Sequence, residues 1–278
     1  MTAITGLDHP PARDLPFVTG ITAVTCSSGY LSSKGRYDDM RFRTAALILA
    51  GLGLLLIPAM TADAQGRPQP TGTFDCQRIL IDYFNSLPVN VLDQETIEMV
   101  ILLREEEKLA RDVYLTLSEL YTIQVFSNIA RSEQQHMDLV AKILVRYAIP
   151  DPAAGNAIGE FTDPWVQGMF DQLVALGETS LINALIVGAT IEDVDILHLQ
   201  HILDHSDFDD VNVIVQNMIA GSRNHMRSFF GALEQRGEIY EAQYIEQTLL
   251  DFIVSTPMET AVIYDENGDV LAECGRPR

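Results

Sequence analysis

Cysteine is scarce in this sequence: Cys26, Cys76 and Cys274 are the only three among 278 residues. No two of them form a Cys-x-x-Cys pair, which excludes a zinc ribbon or a rubredoxin-type iron site. Positive charge is also in short supply, with 18 Lys and Arg against 39 Asp and Glu. A formal net charge of −21 repels phosphate backbones and anionic lipid and attracts cations, so nucleic acid is excluded as a partner. Residues 1–64 carry balanced charge, and the whole excess falls on residues 65–278. Tryptophan occurs once, at Trp165, where an anchoring role for a short helix is expected. No internal repeat or low-complexity segment is present. The apolar run Ala45 to Met60 falls short of the ~20 residues that a membrane-spanning helix needs.

That run has another use. Met40-Arg41-Phe42-Arg43 precedes it as a short basic segment, and Ala62-Asp63-Ala64 follows it. This is the layout of a secretory signal peptide cleaved after Ala64, and the expected product is exported, to the periplasm or the cell exterior. A signal peptide stands at the start of a protein. Translation is therefore expected to begin at Met40, with residues 1–39 an upstream stretch outside the natural product. Cys76 and Cys274 flank the region between them as candidates for one disulfide in an oxidising compartment. Two independent thiols are the alternative that spacing leaves open.

Residues 65–92 read as a mixed extension punctuated by Pro68, Pro70 and Pro88. From there to residue 256 the periodicity is helical. Asp93 is an N-cap for a helix running to about Tyr121, and a second helix fits 123–148. The stretch from Pro150 to Pro164, rich in Pro, Gly, Ala and Asn, reads as a long crossing loop. A short helix over 164–176 ends at Gly177. A third long helix covers Ser180 to His205, and a fourth, capped by Asp207 or Asp209, runs to about Arg236 before Gly237. A shorter helix is expected over 241–255. Residues 257–278 change character: two apolar segments separated by Asp265-Glu266-Asn267-Gly268-Asp269 predict a small hairpin. The expected fold class is all-α, a four-helix bundle with a long crossover between its second and third helices, an extra C-terminal helix and a C-terminal hairpin.

Each long helix, read at alternating intervals of three and four residues, gives an apolar stripe of the kind a bundle helix turns to its partners. Each stripe is broken at one level only: Glu107 and Ala110 in the first, Glu133 and His136 in the second, Glu192 and Asp195 in the third, Ser222 and His225 in the fourth. An isolated carboxylate in such a core costs several kcal/mol or takes up a proton. Four carboxylates and two imidazoles in one layer therefore require cations. Two divalent ions would balance four carboxylates and leave both histidines neutral as nitrogen ligands. Mixed oxygen and imidazole ligation suits iron or manganese. The competing reading is a hydrogen-bonded polar network without metal; four interruptions in register favour the metal. Off the stripe, Arg111 is expected to pair with a carboxylate near the layer. Glu105 and Glu106 read as a solvated face, and His198, His201 and His205, recurring at three and four residues, as favourable cations near a helix C-terminus, with a peripheral metal site as the alternative.

The run Glu107-Lys-Leu-Ala110-Arg111-Asp-Val-Tyr114 resembles the first-helix motif of rubrerythrins, and Phe126-Ser-Asn-Ile129-Ala130-Arg-Ser-Glu133-Gln-Gln-His136 resembles their second. More narrowly, Arg104 to Tyr114 and Gly221-Ser-Arg-Asn-His225 are similar to an exported ferritin-like family filed as a domain of unknown function. The resemblance, over about residues 93–236, implies a ferritin-like bundle with metal ligands at Glu107, Glu133, His136, Glu192 and His225. Asp195 stands where rubrerythrins have a further glutamate. Ser222 departs from the pattern, since it occupies the place of the fourth-helix glutamate. Two ions are expected, with one as the alternative.

The implied activity is that of an oxidoreductase on peroxide or dioxygen, a peroxidase or a ferroxidase, with Tyr114 close to the layer as a hydrogen-bond donor or electron relay. A peroxidase of this kind needs an external electron donor. A non-catalytic bundle that sequesters metal or serves as a scaffold is the alternative, and homodimer formation is left open.

Overall fold

The computed structural model describes residues 76–274, and the signal-peptide and upstream-start expectations lie outside that range. Its elements are helices α1 (Cys76–Ser86), α2 (Gln94–Leu120), α3 (Gln124–Arg146), α4 (Pro164–Gly177), α5 (Leu181–His205), α6 (Asp209–Glu234) and α7 (Gln247–Ser255), then strands β1 (Val262–Tyr264) and β2 (Val270–Glu273). The class is all-α, with a two-stranded antiparallel hairpin appended. Among the described residues no helix is long and apolar enough to cross a membrane.

Local chemistry sets most helix ends. Asp93 caps α2 by accepting from the Thr96 amide at 2.7 Å, and Ser180 caps α5 through the Asn183 amide. Asp163 caps α4, which has Pro164 in its first turn. The expectation for α6 needs correction. Phe208 occupies the cap position without a side-chain bond, and Asp209 and Asp210 sit in the first turn, where acidic groups favour the helix dipole. Asp210 instead accepts from the Tyr147 hydroxyl at 2.6 Å and pairs with Arg146 at 2.7 Å. Gly237, at φ +78°, stops α6 with its left-handed turn. Ala148, at φ +53°, does the same for α3, two residues short of the expected end.

The long helices α2, α3, α5 and α6 enclose one core. α2 packs on α3 and α5, and α6 on α5 and α3, with α4 laid across α2 and α5. Val100, Leu103, Val140, Leu185, Leu199 and Val215 are among its fully buried residues. An aromatic cluster of Tyr114, Phe126 and Phe229, with ring centroids 5.2–6.5 Å apart, fills the middle. Gly188 lets the Phe229 ring approach: a Cβ there would sit 2.3 Å from the ring.

Two segments differ from expectation. Helix α1 lies within the stretch read as a mixed extension. Its Leu80 and Phe84 are buried, and Arg146 lies over the Phe84 ring. The second is residues 241–246, expected to be helical. Their amides are spent elsewhere: buried Asp193 accepts from the amides of Gln243, Tyr244 and Ile245 and from the Tyr240 hydroxyl. Helix α7 therefore starts only at Gln247.

The hairpin docks on α6, where the Asn217 amide both donates to the Tyr264 carbonyl and accepts from its N–H, acting as a short strand partner. Cys76 and Cys274 form a disulfide between positions 198 residues apart, so the first of the two alternatives holds.

Candidate metal centre

Glu107 comes from α2, Glu133 and His136 from α3, Glu192 and Asp195 from α5, and Ser222 and His225 from α6. The structure brings five of these into direct contact. His136 Nδ1 lies 2.9 Å from Glu133 Oε2 and 3.2 Å from Glu107 Oε2. His225 Nδ1 lies 2.8 Å from Glu133 Oε1 and 3.3 Å from Glu192 Oε2. Glu133 thus stands between two sets, each completed by one further carboxylate and one imidazole, and the two rings are 5.4 Å apart. Among the described residues, Glu133, His136 and His225 offer ligand atoms all within 4.8 Å of one another.

The geometry is that of converging lone pairs. Glu107 Oε1, Glu133 Oε1 and His225 Nδ1 are buried and have no hydrogen-bond partner, although the last two are only 2.8 Å apart. Donor atoms that share a metal at ~2.1 Å lie ~3.0–3.4 Å from one another, which matches these spacings. The set can hold a cation on either side of Glu133.

Electrostatics within the cluster point the same way. Burial pushes the Glu107 carboxyl up to about 7 against the pull of His136. Burial, then the Glu133 charge, pushes Glu192 up to about 7. Burial and then the charge on Glu107 raise Asp195 well above the carboxylate range. Glu133 goes the other way: burial disfavours its charge, but His225 and His136 outweigh that and hold it low. Burial likewise disfavours charged imidazoles. The facing carboxylates prevail, raising His136 well above its ordinary value and His225 to about 10. Protons thus occupy positions that cations would compete for.

Tyr114 is fully buried, and its hydroxyl donates to Glu192 Oε1 at 2.5 Å. Asp195 stands apart from the imidazoles; its Oδ2 accepts from Ser222 Oγ at 2.5 Å. Two supporting residues were missed in the sequence. Ser132 Oγ lies 2.8 Å from His225 Nε2 and holds that ring from behind. Gly221 gives room for the other ring, since a Cβ there would meet His136 Nε2 at 2.4 Å. Its signal was available, as Gly221 opens the motif that ends at His225.

The neighbours of the layer on α2 correct the solvated-face reading. Glu105 is buried and accepts from the amides of Thr162 and Asp163 at 2.6 and 2.8 Å, and Glu106 pairs with buried His198 at 2.7 Å. Arg104 pairs with Asp151 through two nitrogens, and Lys108 reaches both Asp112 and the Ala157 carbonyl. Arg111 binds Asp112, in line with its expected carboxylate partner. Of the histidines grouped as helix-end cations, His198 is buried, while His201 and His205 stack toward the surface with centroids 4.0 Å apart.

The chain was then compared with known proteins. It is 44% identical over 180 residues to the uncharacterized protein MJ0754 of Methanocaldococcus jannaschii, a match spanning 65% of this chain and 97% of that protein. The crystal structure of hypothetical protein MJ0754 superposes with a TM-score of 0.62 at 45% identity, covering 63% of this chain and 99% of the other. A family model described as an uncharacterized protein domain, DUF2202, matches residues 96–257, a range that contains every ligand candidate above. The chain belongs to the DUF2202 family.

Proposed function

We propose that this chain is a ferritin-like four-helix bundle whose core holds a non-haem carboxylate centre of two iron or manganese ions. On this reading it is an exported oxidoreductase acting on peroxide or dioxygen, a rubrerythrin-like peroxidase or a ferroxidase. One observation carries the proposal: two carboxylate–imidazole sets share Glu133 in the buried core, with donor atoms 2.8–3.3 Å apart and unpartnered lone pairs.

When bound, the metal pair supplies the redox chemistry and a Lewis-acid hold on a small oxygen species. The protein's own residues bind and orient. Glu133, Glu107 and His136 would hold one ion, and Glu192 and His225, with Glu133 between the two sets, the other. Tyr114 fixes Glu192 by its hydroxyl, and Ser132 fixes the His225 ring. Ser222, whose hydroxyl donates to Asp195, stands in place of a carboxylate, so an ion beside His225 would meet one charge fewer and bind more weakly. The disulfide supports an oxidising compartment and hence export. A peroxidase would draw electrons from a separate donor protein; a ferroxidase would take them from ferrous iron itself.

Metal analysis of the folded protein tests the reading, with about two Fe or Mn per chain expected. Replacing Glu133 and His136 together by Ala should abolish binding, and metal content that survives this change would refute the assignment. Addition of peroxide or ferrous iron to the loaded protein separates turnover from storage. Sequestration without turnover is the second reading, favoured by the burial of Glu107, Glu133 and Glu192, each 1% exposed.

A further inference from the structure

Beside the centre, between α2, α4 and α5, lies a cavity with room for about 20 Å³ of water-sized occupants. Its walls are mostly apolar: Leu109, Ala110, Met169, Ile191 and Val194. Three polar residues break this lining, namely Asp195, His198 and Glu106. Ala110 and Asp195 belong to the same level as the metal ligands, so the inner end of the cavity abuts the centre.

The outer end repeats the chemistry seen inside. Glu106 Oε1 lies 2.7 Å from His198 Nδ1, yet that oxygen has no hydrogen-bond partner, and neither does His198 Nε2. The His198 side chain is 7% exposed and that of Glu106 12%, so water does not satisfy these atoms freely. Buried lone pairs left open beside a cavity cost stability unless something visits them.

Position along α5 suggests what does. Glu192, Asp195, His198, His201 and His205 follow one another at steps of three or four residues, ~4.5–6 Å of rise each. Glu192 and His198 are buried and Asp195 between them half-buried, and beyond His198 the row opens through half-buried His201 to exposed His205. Every member is an oxygen or imidazole donor suited to ferrous or manganous ion.

We propose that the Glu106–His198 pair, with Asp195 behind it, is a transit site through which divalent metal ions enter the centre. The inference rests on the metal-centre reading and adds the route to it. Two or three ligands hold an ion loosely enough to pass it on, whereas the carboxylate–imidazole sets around Glu133 retain it. The net charge of −21 draws cations toward the molecule.

Cobalt(II) uptake by the chelator-stripped full-length protein, followed by stopped-flow absorbance, tests the proposal. Glu106→Gln, which keeps shape, and His198→Ala should each slow uptake by about tenfold or more while the cobalt bound at equilibrium stays at the unaltered protein's level. Wild-type uptake rates in both variants would overturn it. Loss of bound cobalt at equilibrium would also overturn it, because the pair would then be permanent ligands. Glu133→Ala/His136→Ala serves as the separate control. If that double variant still binds cobalt, the centre itself is wrongly assigned; if it does not, and the two entry variants load normally, only the route fails.

Discussion

Single residues around Glu133 lead to two sharp expectations. Gly221→Ala places a methyl 2.4 Å from His136 Nε2, so the ring must turn away from its position between Glu107 and Glu133. Metal affinity should drop by about 10–100-fold in a competition titration, because the change displaces a ligand without removing it. Unchanged affinity would mean that His136 does not bind. Protons supply the other test. Burial pushes Glu107 and Glu192 up to about 7, and the facing carboxylates raise His225 to about 10, so protons held by these groups must leave when a cation binds. Apparent affinity should fall as pH falls from about 8 to about 6, with proton release on binding detectable in buffers of different ionisation heat. A flat profile would contradict the ligand set. The level at which these side chains meet was legible in the sequence, since Glu107, Glu133, Glu192 and His225 each interrupt an otherwise apolar stripe. Ser132 was not, because a serine behind an imidazole leaves no mark on the stripe it belongs to.

Among the elements, α2 shows why charge alone misled. Arg104 to Lys108 are five consecutive charged residues, which on a helix cover its whole circumference. Only Glu107 faces the layer. Arg104, Glu105 and Lys108 face the crossover between α3 and α4, Glu106 meets His198 on α5, and these partners lie far away in sequence: Asp151 is 47 residues from Arg104, and Asp163 is 58 from Glu105. No local pattern announces such pairs. The same applies to residues 241–246, whose helical periodicity yielded to one buried acceptor, Asp193, offering more to their amides than a further helical turn. Where the deciding chemistry was local, as at Asp93, Ser180 and Gly237, the expected ends hold. Ala148 is a local feature that can be improved. It is exposed and holds a left-handed conformation that costs a side-chain-bearing residue ~1 kcal/mol. Ala148→Gly should raise stability by about 0.5–1 kcal/mol, read as a higher urea midpoint with unchanged slope. A lower midpoint would show that flexibility of the unfolded chain outweighs the relieved turn.

For the whole molecule, the Cys76–Cys274 bond ties the first described helix to the residue just after the last strand. Closing so long a loop is worth about 5 kcal/mol on the chain-entropy model. Reduction should lower the melting temperature by about 10 °C in calorimetry, whereas an unchanged melt would place its stabilising effect elsewhere. The bond has another effect. A protease that cuts once in the crossover between Tyr147 and Asp163 leaves two fragments, one carrying Glu107, Glu133 and His136, the other Glu192, Asp195 and His225. Each alone holds half a site, yet the sulfur bridge joins them into one particle with its full complement of donors. Such a nicked molecule would run as two bands on a reducing gel and still be whole in solution.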